Sequence, residues 1–416
     1  MLGKILQQTK RLIPSRLFRL FQPAYHYVLA WLAYVYYGNP SQYIKLIGVT
    51  GTKGKSTTIE ILNAILEEAG FSTALSSTLR TKIAGVSEDN LYKMTTPGRF
   101  FIQRFLKRAV IAGCDYAIVE LTSQSVLQNR HRFLELDTLI FTGIHPEHIE
   151  AHGSFDKYLN SKLQLVKRLG KSTKERRVAI ANIDDPLGEL FLRENIELNI
   201  GYHLVDWPGY KFALPGDFNK LNAIAAITCA VSEDVGIKAI KKAMENMQGV
   251  PGRMEYISAA KDMGIEVIVD YAHTTGSLEA VYKLFRERPI IAVLGSCGGG
   301  RDKWKRPQMA ATAEQYCKHI ILTNEDPYDE DPKAIVGDML VGMKDQTKAI
   351  VEMDRRKAIA KALSLAIVSP LGGGTASPIV LITGKGTDPF IMGPHGTKQE
   401  WSDKRVAEEE LAKLAH

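Results

Sequence analysis

Cysteine is scarce in this sequence, and the few cysteines lie far apart. The four residues, Cys114, Cys229, Cys297 and Cys317, form no CxxC pair. This spacing predicts neither a zinc ribbon nor a framework of disulfide bonds. It is typical of a protein that works in a reducing compartment, so the expected location is the cytoplasm.

The apolar run near the N-terminus is short. Residues 24–38 are fewer than the ~20 apolar residues that a membrane-spanning helix needs, and no small-residue cleavage site follows them. The basic residues that precede the run are Lys4, Lys10, Arg11, Arg16 and Arg19. Residues 1–43 are therefore interpreted either as an amphipathic helix packed on the protein or as an anchor at the inner membrane surface.

A strong excess of one charge is also missing. The chain has 53 basic and 46 acidic residues, a net charge of +7, and the basic residues are dispersed without the aromatic interleaving of an RNA-binding surface. We expect a small anionic substrate and no nucleic-acid partner. With 416 residues the chain is long enough for two domains, and a monomer is the default expectation.

Strands and helices alternate from residue 44 onward, which predicts an α/β fold. The alternation restarts after a Pro-Gly break at residues 251–252. We therefore expect a short basic and aromatic segment (1–43), a central doubly wound domain with a parallel sheet (44–250), and a smaller Rossmann-like domain (251–416). The predicted strands are 44–50, 116–121, 138–144, 178–183, 265–270, 290–294, 319–323 and 378–383; the predicted helices are 56–69, 99–112, 155–169, 221–235 and 277–286.

A glycine-rich segment, GVTGTKGKSTT at residues 48–58, joins the first predicted strand to the first helix. Glycines here let backbone amides turn toward phosphate oxygens, and the helix N-terminus adds partial positive charge. Lys55 can reach the β and γ phosphates, and the Ser56 hydroxyl can bind Mg²⁺. The segment predicts a nucleoside triphosphate site that includes Gly51, Thr52, Lys53, Gly54 and Thr57.

Other proteins with such a loop are switch GTPases and nucleic-acid motors. The sequence has no Asn-Lys-x-Asp guanine motif and no clear nucleic-acid surface. Further motifs, taken in order, resemble the Mur ligase family. They are TGTKGKS (50–56), ELTS (120–123) with Arg130, EH (147–148) with HG (152–153), YLNSK (158–162), NIDD (182–185), NKLN (219–222), GRME (252–255), VDYAHT (269–274), GGRD (299–302) with KRP (305–307), and GKG (384–386).

The resemblance is greatest to the subgroup that adds the third residue of the peptidoglycan stem. It implies that ATP and Mg²⁺ convert a muramoyl-dipeptide-type substrate to an acyl phosphate, which an amino acid then attacks. Ser56 and Glu120 would hold one Mg²⁺. His148 and Lys162, the latter carbamylated by CO₂, would hold a second, because a carbamate offers hard oxygens and an amine does not. From its position alone, Lys162 is interpreted as an exposed helical lysine.

The resemblance also assigns residues that contact ATP. Asn219 and Asn222 would contact the adenine, although asparagine at a helix start also caps helices. Arg253 would contact the phosphates when the domains close, and His273 would approach the nucleotide. Taken singly, His273 is interpreted as a core histidine.

For the acceptor, Thr95, Thr96 and Pro97 resemble the family's sugar–peptide loop, with Ser123 and Arg130 as further contacts. Gln124 stands where the subgroup often has histidine. The subgroup has an N-terminal domain of about a hundred residues before the ATP-binding strand, whereas only residues 1–43 precede it here. The carrier is therefore expected to be a loosely held UDP-sugar, a lipid-linked substrate or a pseudomurein precursor. A different class, an ATP-binding subunit that needs a partner, also fits.

The resemblance places the incoming amino acid near residues 324–332. Arg301 would bind its α-carboxylate. Diaminopimelate-adding members usually have arginine where this chain has Tyr328, and here Glu325 and Asp326 are acidic. These residues, with Gly384 and Asp388, favour a side chain ending in an ammonium, so lysine or ornithine is predicted. Alternatively, Glu325 and Asp326 face solvent and cap the next helix.

Overall fold

The computed structural model describes residues 15–92, 94–95, 98–147, 149–368 and 377–414. The chain forms two compact units that interleave in sequence. The first comprises Met1–His145, Phe155–Tyr210 and Leu221–Met244, and the second comprises Pro146–Ser154, Lys211–Lys220 and Glu245–His416. The predicted domains, 44–250 and 251–416, are continuous stretches of sequence, so they do not include this interleaving. Their bounds stay a prediction.

An eight-stranded sheet forms the first unit, in the order β4-β3-β2-β5-β1-β6-β7-β8. In this spatial order, the six strands β2, β5, β1, β6, β7 and β8 are parallel to one another. Strands β3 and β4 extend the sheet beyond β2 as an antiparallel edge. The strands are β1 (Lys45–Thr50), β2 (Thr73–Ser76), β3 (Arg80–Ile83), β4 (Val86–Asp89), β5 (Tyr116–Glu120), β6 (Thr138–Phe141), β7 (Val178–Asn182) and β8 (Leu198–Tyr202).

The second unit has a six-stranded sheet in the order β13-β12-β11-β14-β10-β9, parallel except at β9, and a hairpin of β15 and β16. These strands are β9 (Glu255–Tyr256), β10 (Glu266–Asp270), β11 (Ile290–Leu294), β12 (His319–Leu322), β13 (Ala349–Val351), β14 (Ile379–Thr383), β15 (Phe390–Met392) and β16 (Lys398–Glu400).

Helices separate most of the parallel strands, as a doubly wound sheet requires. In chain order they are α1 (Ser15–Tyr37), α2 (Lys55–Glu68), α3 (Arg99–Ile111), α4 (Ser123–Leu127), α5 (Ile149–His152), α6 (Phe155–Gly170), α7 (Asp217–Ser232), α8 (Ile237–Asn246), α9 (Thr275–Leu284), α10 (Lys305–Tyr316), α11 (Pro332–Leu340), α12 (Arg355–Val368) and α13 (Asp403–Leu414).

The central strands are apolar because both of their faces are covered. Every residue of β5, β6, β7, β11 and β14 is buried, which is the pattern of parallel sheets in α/β proteins. Helix α6 buries Tyr158, Ser161, Lys162, Leu165 and Leu169, which repeat every three or four residues and therefore share one face. The predicted α/β class, with a large and a smaller parallel-rich sheet, is confirmed.

Helix α1 packs against α3 in the first unit. Its Ala30 and Ala33 are buried, whereas apolar side chains on its other side are exposed. Among the helices described, none combines the length and the apolar content needed to cross a bilayer.

Candidate active site

The glycine-rich loop connects β1 to α2 at the C-terminal edge of the sheet. Gly51 (φ 149°) and Gly54 (φ 84°) have backbone conformations that favour glycine. A Cβ atom at Gly51 would lie 2.0 Å from Thr142 Oγ1, and one at Gly54 would lie 2.1 Å from Asn222 Oδ1. Two such glycines at a helix N-terminus suit a phosphate group, which approaches the backbone closely.

Ser56 and Glu120 meet beside this loop because β1 and β5 are neighbouring parallel strands. Ser56 Oγ donates to Glu120 Oε2 at 2.9 Å, and both residues are buried. Lys55 Nζ lies 3.8 Å from Glu120 Oε1 and donates to the Thr52 carbonyl at 2.9 Å. A hydroxyl and a carboxylate together offer the hard oxygen ligands that Mg²⁺ prefers, so the pair fits the ion expected there.

Thr78 connects Glu120 to the predicted acceptor loop. The Thr78 amide and hydroxyl contact Glu120 Oε2 at 2.8 and 3.0 Å, and the Thr78 hydroxyl lies 2.8 Å from Thr95 Oγ1. Thr95 was predicted to contact the acceptor, whereas Thr78 was missed. Thr96 and Pro97, the other two predicted residues of that loop, lie outside the described residues.

Lys162 lies against the same loop. Its side chain is buried, at 2% exposure, and Nζ donates to the Gly51 carbonyl at 2.7 Å. One turn earlier, the Tyr158 hydroxyl lies 2.9 Å from Thr52 Oγ1. The interpretation of Lys162 as an exposed lysine is therefore wrong, because the buried face of α6 includes it. His148, its predicted companion at the second Mg²⁺, lies outside the described residues.

The two asparagines predicted to contact adenine are not helix caps. Helix α7 begins at Asp217, so Asn219 and Asn222 lie within its first two turns. Asn219 Nδ2 donates to the Pro215 carbonyl at 2.7 Å. The Asn222 amide lies so close to Gly54 that a Cβ atom at residue 54 would collide with it. The structure thus brings Asn222 to the phosphate loop.

Arg253 and His273 belong to the second unit and flank Tyr271. The Arg253 guanidinium stacks on the Tyr271 ring at 4.3 Å, and its Nη1 donates to the Gly252 carbonyl at 3.0 Å. His273 contacts the Tyr271 carbonyl through Nδ1 at 2.7 Å and Glu147 Oε1 through Nε2 at 3.1 Å. Its side chain is 31% exposed, so the alternative of a core histidine is wrong.

Ser123 and Arg130 lie at the two ends of a short segment after β5. Ser123 is buried and begins α4. Arg130 Nη2 donates to Gln128 Oε1 at 2.5 Å. Burial of the guanidinium is the main cause that lowers the pKa of Arg130 to about 10, and the nearby positive charge of Arg99 is the second.

Arg301 and Tyr328 form a pair in the second unit. Arg301 Nη2 donates to the Tyr328 hydroxyl at 3.2 Å, and the guanidinium lies 5.3 Å from the centre of the ring. Tyr328 has a positive φ of 51°, and its amide donates to the Met392 carbonyl at 3.0 Å. Tyr328 stands where diaminopimelate-adding members usually have arginine. It is thus held beside Arg301, which is predicted to bind the α-carboxylate of the amino acid.

Glu325 and Asp326 do not face solvent. Each is 2% exposed, and it is Asp331 that caps α11, so the capping alternative is wrong. Asp326 Oδ1 accepts from Lys385 Nζ at 2.9 Å, and Asp388 Oδ2 lies 3.5 Å from the same ammonium. Lys385 therefore already provides a positive charge beside Asp326 and Asp388, two of the acidic residues that were predicted to select a cationic substrate.

Glu325 differs from these two carboxylates. Cys297 Sγ donates to Glu325 Oε1 at 3.1 Å, and burial, with Glu325 and Asp326, raises the pKa of the thiol well above its usual value. Glu325 Oε2 is buried without a hydrogen-bond partner among the described residues. A Cβ at Gly384 (φ 104°) would lie 2.3 Å from that oxygen. Glycine at 384 therefore leaves room for the Glu325 carboxylate.

Comparisons with known proteins match both units. Residues 49–206 match the Mur ligase middle domain, and residues 252–386 match the Mur ligase glutamate ligase domain. A UDP-N-acetylmuramoyl-L-alanyl-D-glutamate–2,6-diaminopimelate ligase from Clostridium tetani is 34% identical over 391 residues, covering 87% of this chain and 76% of the relative. This chain belongs to the Mur ligase family.

Two further relatives agree with that assignment. A UDP-N-acetylmuramyl-tripeptide synthetase from Roseiflexus sp. is 33% identical, covering 93% of this chain and 82% of the relative. A solved UDP-N-acetylmuramoyl-L-alanyl-D-glutamate–2,6-diaminopimelate ligase superposes with a TM-score of 0.57 at 25% identity, covering 90% of this chain and 79% of that one. Mur ligases are ADP-forming amide ligases that use ATP and Mg²⁺, so this Mur ligase is an ATP-dependent enzyme.

Proposed function

We propose that this Mur ligase adds an amino acid to a muramoyl-dipeptide-type acceptor in peptidoglycan synthesis. The observation that carries the proposal is the chain of contacts from Ser56 through Glu120 and Thr78 to Thr95. It connects the candidate phosphate and Mg²⁺ site to the candidate acceptor loop within one unit. An enzyme that phosphorylates a carboxylate needs those two sites side by side.

The reaction proceeds in two steps. An oxygen of the acceptor carboxylate attacks the γ-phosphorus of ATP, and the bond to the β–γ bridging oxygen breaks to release ADP. The amine of the amino acid then attacks the acyl carbon, phosphate leaves with the carboxylate oxygen, and the amine loses a proton. Lys55 stabilises negative charge on the phosphates. Mg²⁺ bound by Ser56 and Glu120 would neutralise further charge on the same oxygens.

Lys162 is proposed to act as a carbamate, with His148, at a second Mg²⁺. Its burial and its hydrogen bond to the Gly51 carbonyl support a role at the phosphate loop. Gly51, Thr52, Lys53, Gly54 and Thr57 are proposed to bind the phosphates, and Asn219 and Asn222 the nucleoside.

The second unit is proposed to supply the remaining ATP contacts and the amino acid site. Arg253 and His273 are both partly exposed, and both contact Tyr271. Arg301 is proposed to bind the α-carboxylate of the incoming amino acid, for which a guanidinium is suited.

We propose L-lysine or ornithine as the amino acid, with diaminopimelate, present in the name of the Clostridium tetani relative, as the competitor. The support is Glu325, a buried carboxylate with one oxygen that has no hydrogen-bond partner among the described residues. Tyr328 offers no positive charge to a distal carboxylate. Because Lys385 already pairs with Asp326 and Asp388, Glu325 is the proposed contact for the distal ammonium.

We also propose that α1 contacts an anionic membrane surface. Six of its exposed apolar side chains are spaced so that they lie on one face of the helix and form a stripe. Five basic residues precede the stripe, and no Asp or Glu occurs before Glu60, which favours an anionic surface. The stripe consists of Tyr25, Val28, Trp31, Leu32, Val35 and Tyr36, each at least 39% exposed.

The reaction is tested by ADP release. The proposal expects ADP and phosphate only when UDP-N-acetylmuramoyl-L-alanyl-D-glutamate, or its lipid-linked form, and an amino acid are both present, with a new amide in the mass spectrum. Glu120→Gln should abolish release, because the amide is a weaker ligand for Mg²⁺ than the carboxylate. ADP release that is unchanged by acceptor and amino acid would instead support an ATP-binding subunit that needs a partner.

A further inference from the structure

Thr78 lies in the short connection between β2 and β3, and hydrogen bonds of its neighbours fix that connection. The Ser77 amide donates to the Arg80 carbonyl at 3.0 Å. The Ser77 hydroxyl accepts from the amides of Leu79 at 3.1 Å and Arg80 at 3.3 Å. Ser77 and Leu79, on either side of Thr78, are buried. The backbone at Thr78 is therefore held by contacts that do not involve its own hydroxyl.

Asn90 joins this connection to the candidate acceptor loop. Its side-chain amide donates from Nδ2 to the Ser77 carbonyl at 2.9 Å and to the Met94 carbonyl at 3.2 Å, and Asn90 is itself buried. The residue after Met94 is Thr95, the first residue of the candidate acceptor loop. One buried amide thus holds the two segments that carry Thr78 and Thr95 side by side.

The direction of the hydrogen bonds at Thr78 follows from the charge of Glu120. A carboxylate that is ionised, as a ligand of Mg²⁺ is, accepts hydrogen bonds and donates none. Thr78 Oγ1 lies 3.0 Å from Glu120 Oε2, so the hydroxyl proton of Thr78 is donated to the carboxylate. The contact of 2.8 Å between the hydroxyls of Thr78 and Thr95 then uses the proton of Thr95. The hydrogen bonds run in one direction, from Thr95 through Thr78 to Glu120.

This direction makes the contact with Thr95 stronger than one between two isolated hydroxyls. A hydrogen bond to an ionised acceptor is stronger than one between neutral groups, and a hydroxyl that donates in this way becomes a better acceptor for the next donor. The Thr78 amide also donates to Glu120 Oε2, at 2.8 Å. Both donor groups of Thr78 therefore hold it to the carboxylate, while its oxygen holds Thr95.

We infer that Thr78 is a positioning residue for the acceptor, because its hydroxyl holds Thr95 at a fixed distance from Glu120. This inference rests on the proposed function for the roles of Glu120 and Thr95. The acceptor carboxylate can attack the γ-phosphate only if the acceptor loop and the Mg²⁺ site are held in a fixed relative position. Thr78 acts through its two neighbours and is not itself a catalytic group.

Steady-state kinetics of amide formation give the first test, with UDP-N-acetylmuramoyl-L-alanyl-D-glutamate or its lipid-linked form as acceptor. Thr78→Val has nearly the same shape without the hydroxyl. It should raise KM for the acceptor about tenfold and leave KM for the amino acid within about twofold of wild type. Thr78→Ser keeps the hydroxyl and should restore the wild-type KM. The matched control is Thr81→Val, a half-buried threonine of β3, which should behave like the wild type.

A double-mutant cycle tests whether Thr78 and Thr95 act together. Calorimetry measures the Kd of the same acceptor for Thr78→Val, Thr95→Val and the double variant, each saturated with Mg·ADP. The double variant should bind within about twofold of the weaker single variant, because each change removes the same hydrogen bond. Thr81→Val combined with Thr95→Val should bind like Thr95→Val alone. Losses that multiply in the Thr78 and Thr95 double variant, or wild-type affinity in Thr78→Val, would overturn the inference.

Hydrogen exchange of the full chain without ligands tests the positioning without an active ligase. Thr78→Val should speed exchange in residues 90–95 by about fivefold or more, because the contact that holds Thr95 is lost. Thr95→Val breaks the same contact from its other side and should have the same effect, whereas Thr78→Ser and Thr81→Val should exchange like the wild type.

The exchange measurement also separates this inference from the proposed function. Should the wild type form no amide with either acceptor, the proposed function fails, while exchange in residues 90–95 still reports on the contact. Equal exchange in the wild type, Thr78→Val and Thr95→Val would overturn positioning by Thr78 even in an active ligase.

Discussion

Lys162 Nζ donates a hydrogen bond of 2.7 Å to the carbonyl oxygen of Gly51. The contact joins the buried face of α6 to the glycine-rich loop, so a lysine far along the chain lies at the candidate phosphate site. The ammonium group is therefore within reach of chemistry at that loop.

Replacement of Lys162 tests its proposed role. Lys162→Ala should abolish turnover and leave ATP binding largely intact, because Lys55 and Ser56 are unchanged. Labelled bicarbonate should give a carbamate signal in the wild type that is lost in the variant. Lys167→Ala, an exposed lysine on the same helix, is the control and should stay active. An active Lys162→Ala enzyme, with no carbamate in the wild type, would show that the assigned role is wrong.

Amino acid selection depends on Glu325 in our proposal. The wild type should have a higher kcat/KM for lysine or ornithine than for meso-diaminopimelate. Glu325→Gln should lower kcat/KM for lysine by roughly tenfold to a hundredfold, since a buried charged contact is lost. Tyr328→Arg should shift the preference toward diaminopimelate. Better kinetics with diaminopimelate in the wild type would end the proposal.

Membrane contact depends on the exposed stripe of α1. Sedimentation with anionic vesicles should recover the wild type, whereas Trp31→Glu should reduce recovery, because a carboxylate on the stripe opposes burial in the interface and repels anionic lipid. Val205→Glu replaces an apolar residue that is 89% exposed elsewhere in the unit and should bind like the wild type. Equal recovery of all three proteins would leave α1 as a packed helix without this function.

Stability of the second unit depends on a buried ion pair between α12 and α13. Arg355 Nη2 lies 2.7 Å from Asp403 Oδ2, and both side chains are at most 1% exposed. Asp403→Asn leaves the guanidinium without its counter-charge and should cost roughly 3–5 kcal/mol in denaturant unfolding. Glu409→Gln removes an exposed partner of Arg356 and should cost less than about 1 kcal/mol. Similar losses in the two variants would contradict this account.

Much of the fold was predictable because parallel strands read as uniform apolar runs. The strand predicted at 290–294 has the same bounds as β11, and each of the other seven predicted strands differs by one to three residues at one end. Helix α7 begins four residues before its predicted start, at Asp217, because three of the four residues of its first turn are polar and one phenylalanine shows no apolar periodicity. The interleaving of the units was not predictable, since short segments such as 146–154 have too few residues to show a pattern.

The residues of the candidate site were predictable where they belong to a sequence motif, as Ser56 and Glu120 do. They were not predictable where the contact is with a residue far away in the sequence. The burial of Lys162 could have been found from its spacing to Tyr158 and Leu165, which places all three on one helix face. The pairing of Lys385 with Asp326 joins residues 59 positions apart, and no local pattern shows such a contact. Thr78 carries no motif of its own.

The fate of oxygen in the acceptor carboxylate tests the proposed acyl-phosphate route most directly. The acceptor is labelled with oxygen-18 in the reacting carboxylate and incubated with ATP, Mg²⁺ and the amino acid, and the released phosphate is analysed by mass spectrometry. The account predicts that each phosphate carries one labelled oxygen, because the carboxylate oxygen that attacked phosphorus leaves with it. Unlabelled phosphate, or label found in AMP instead, would contradict the account.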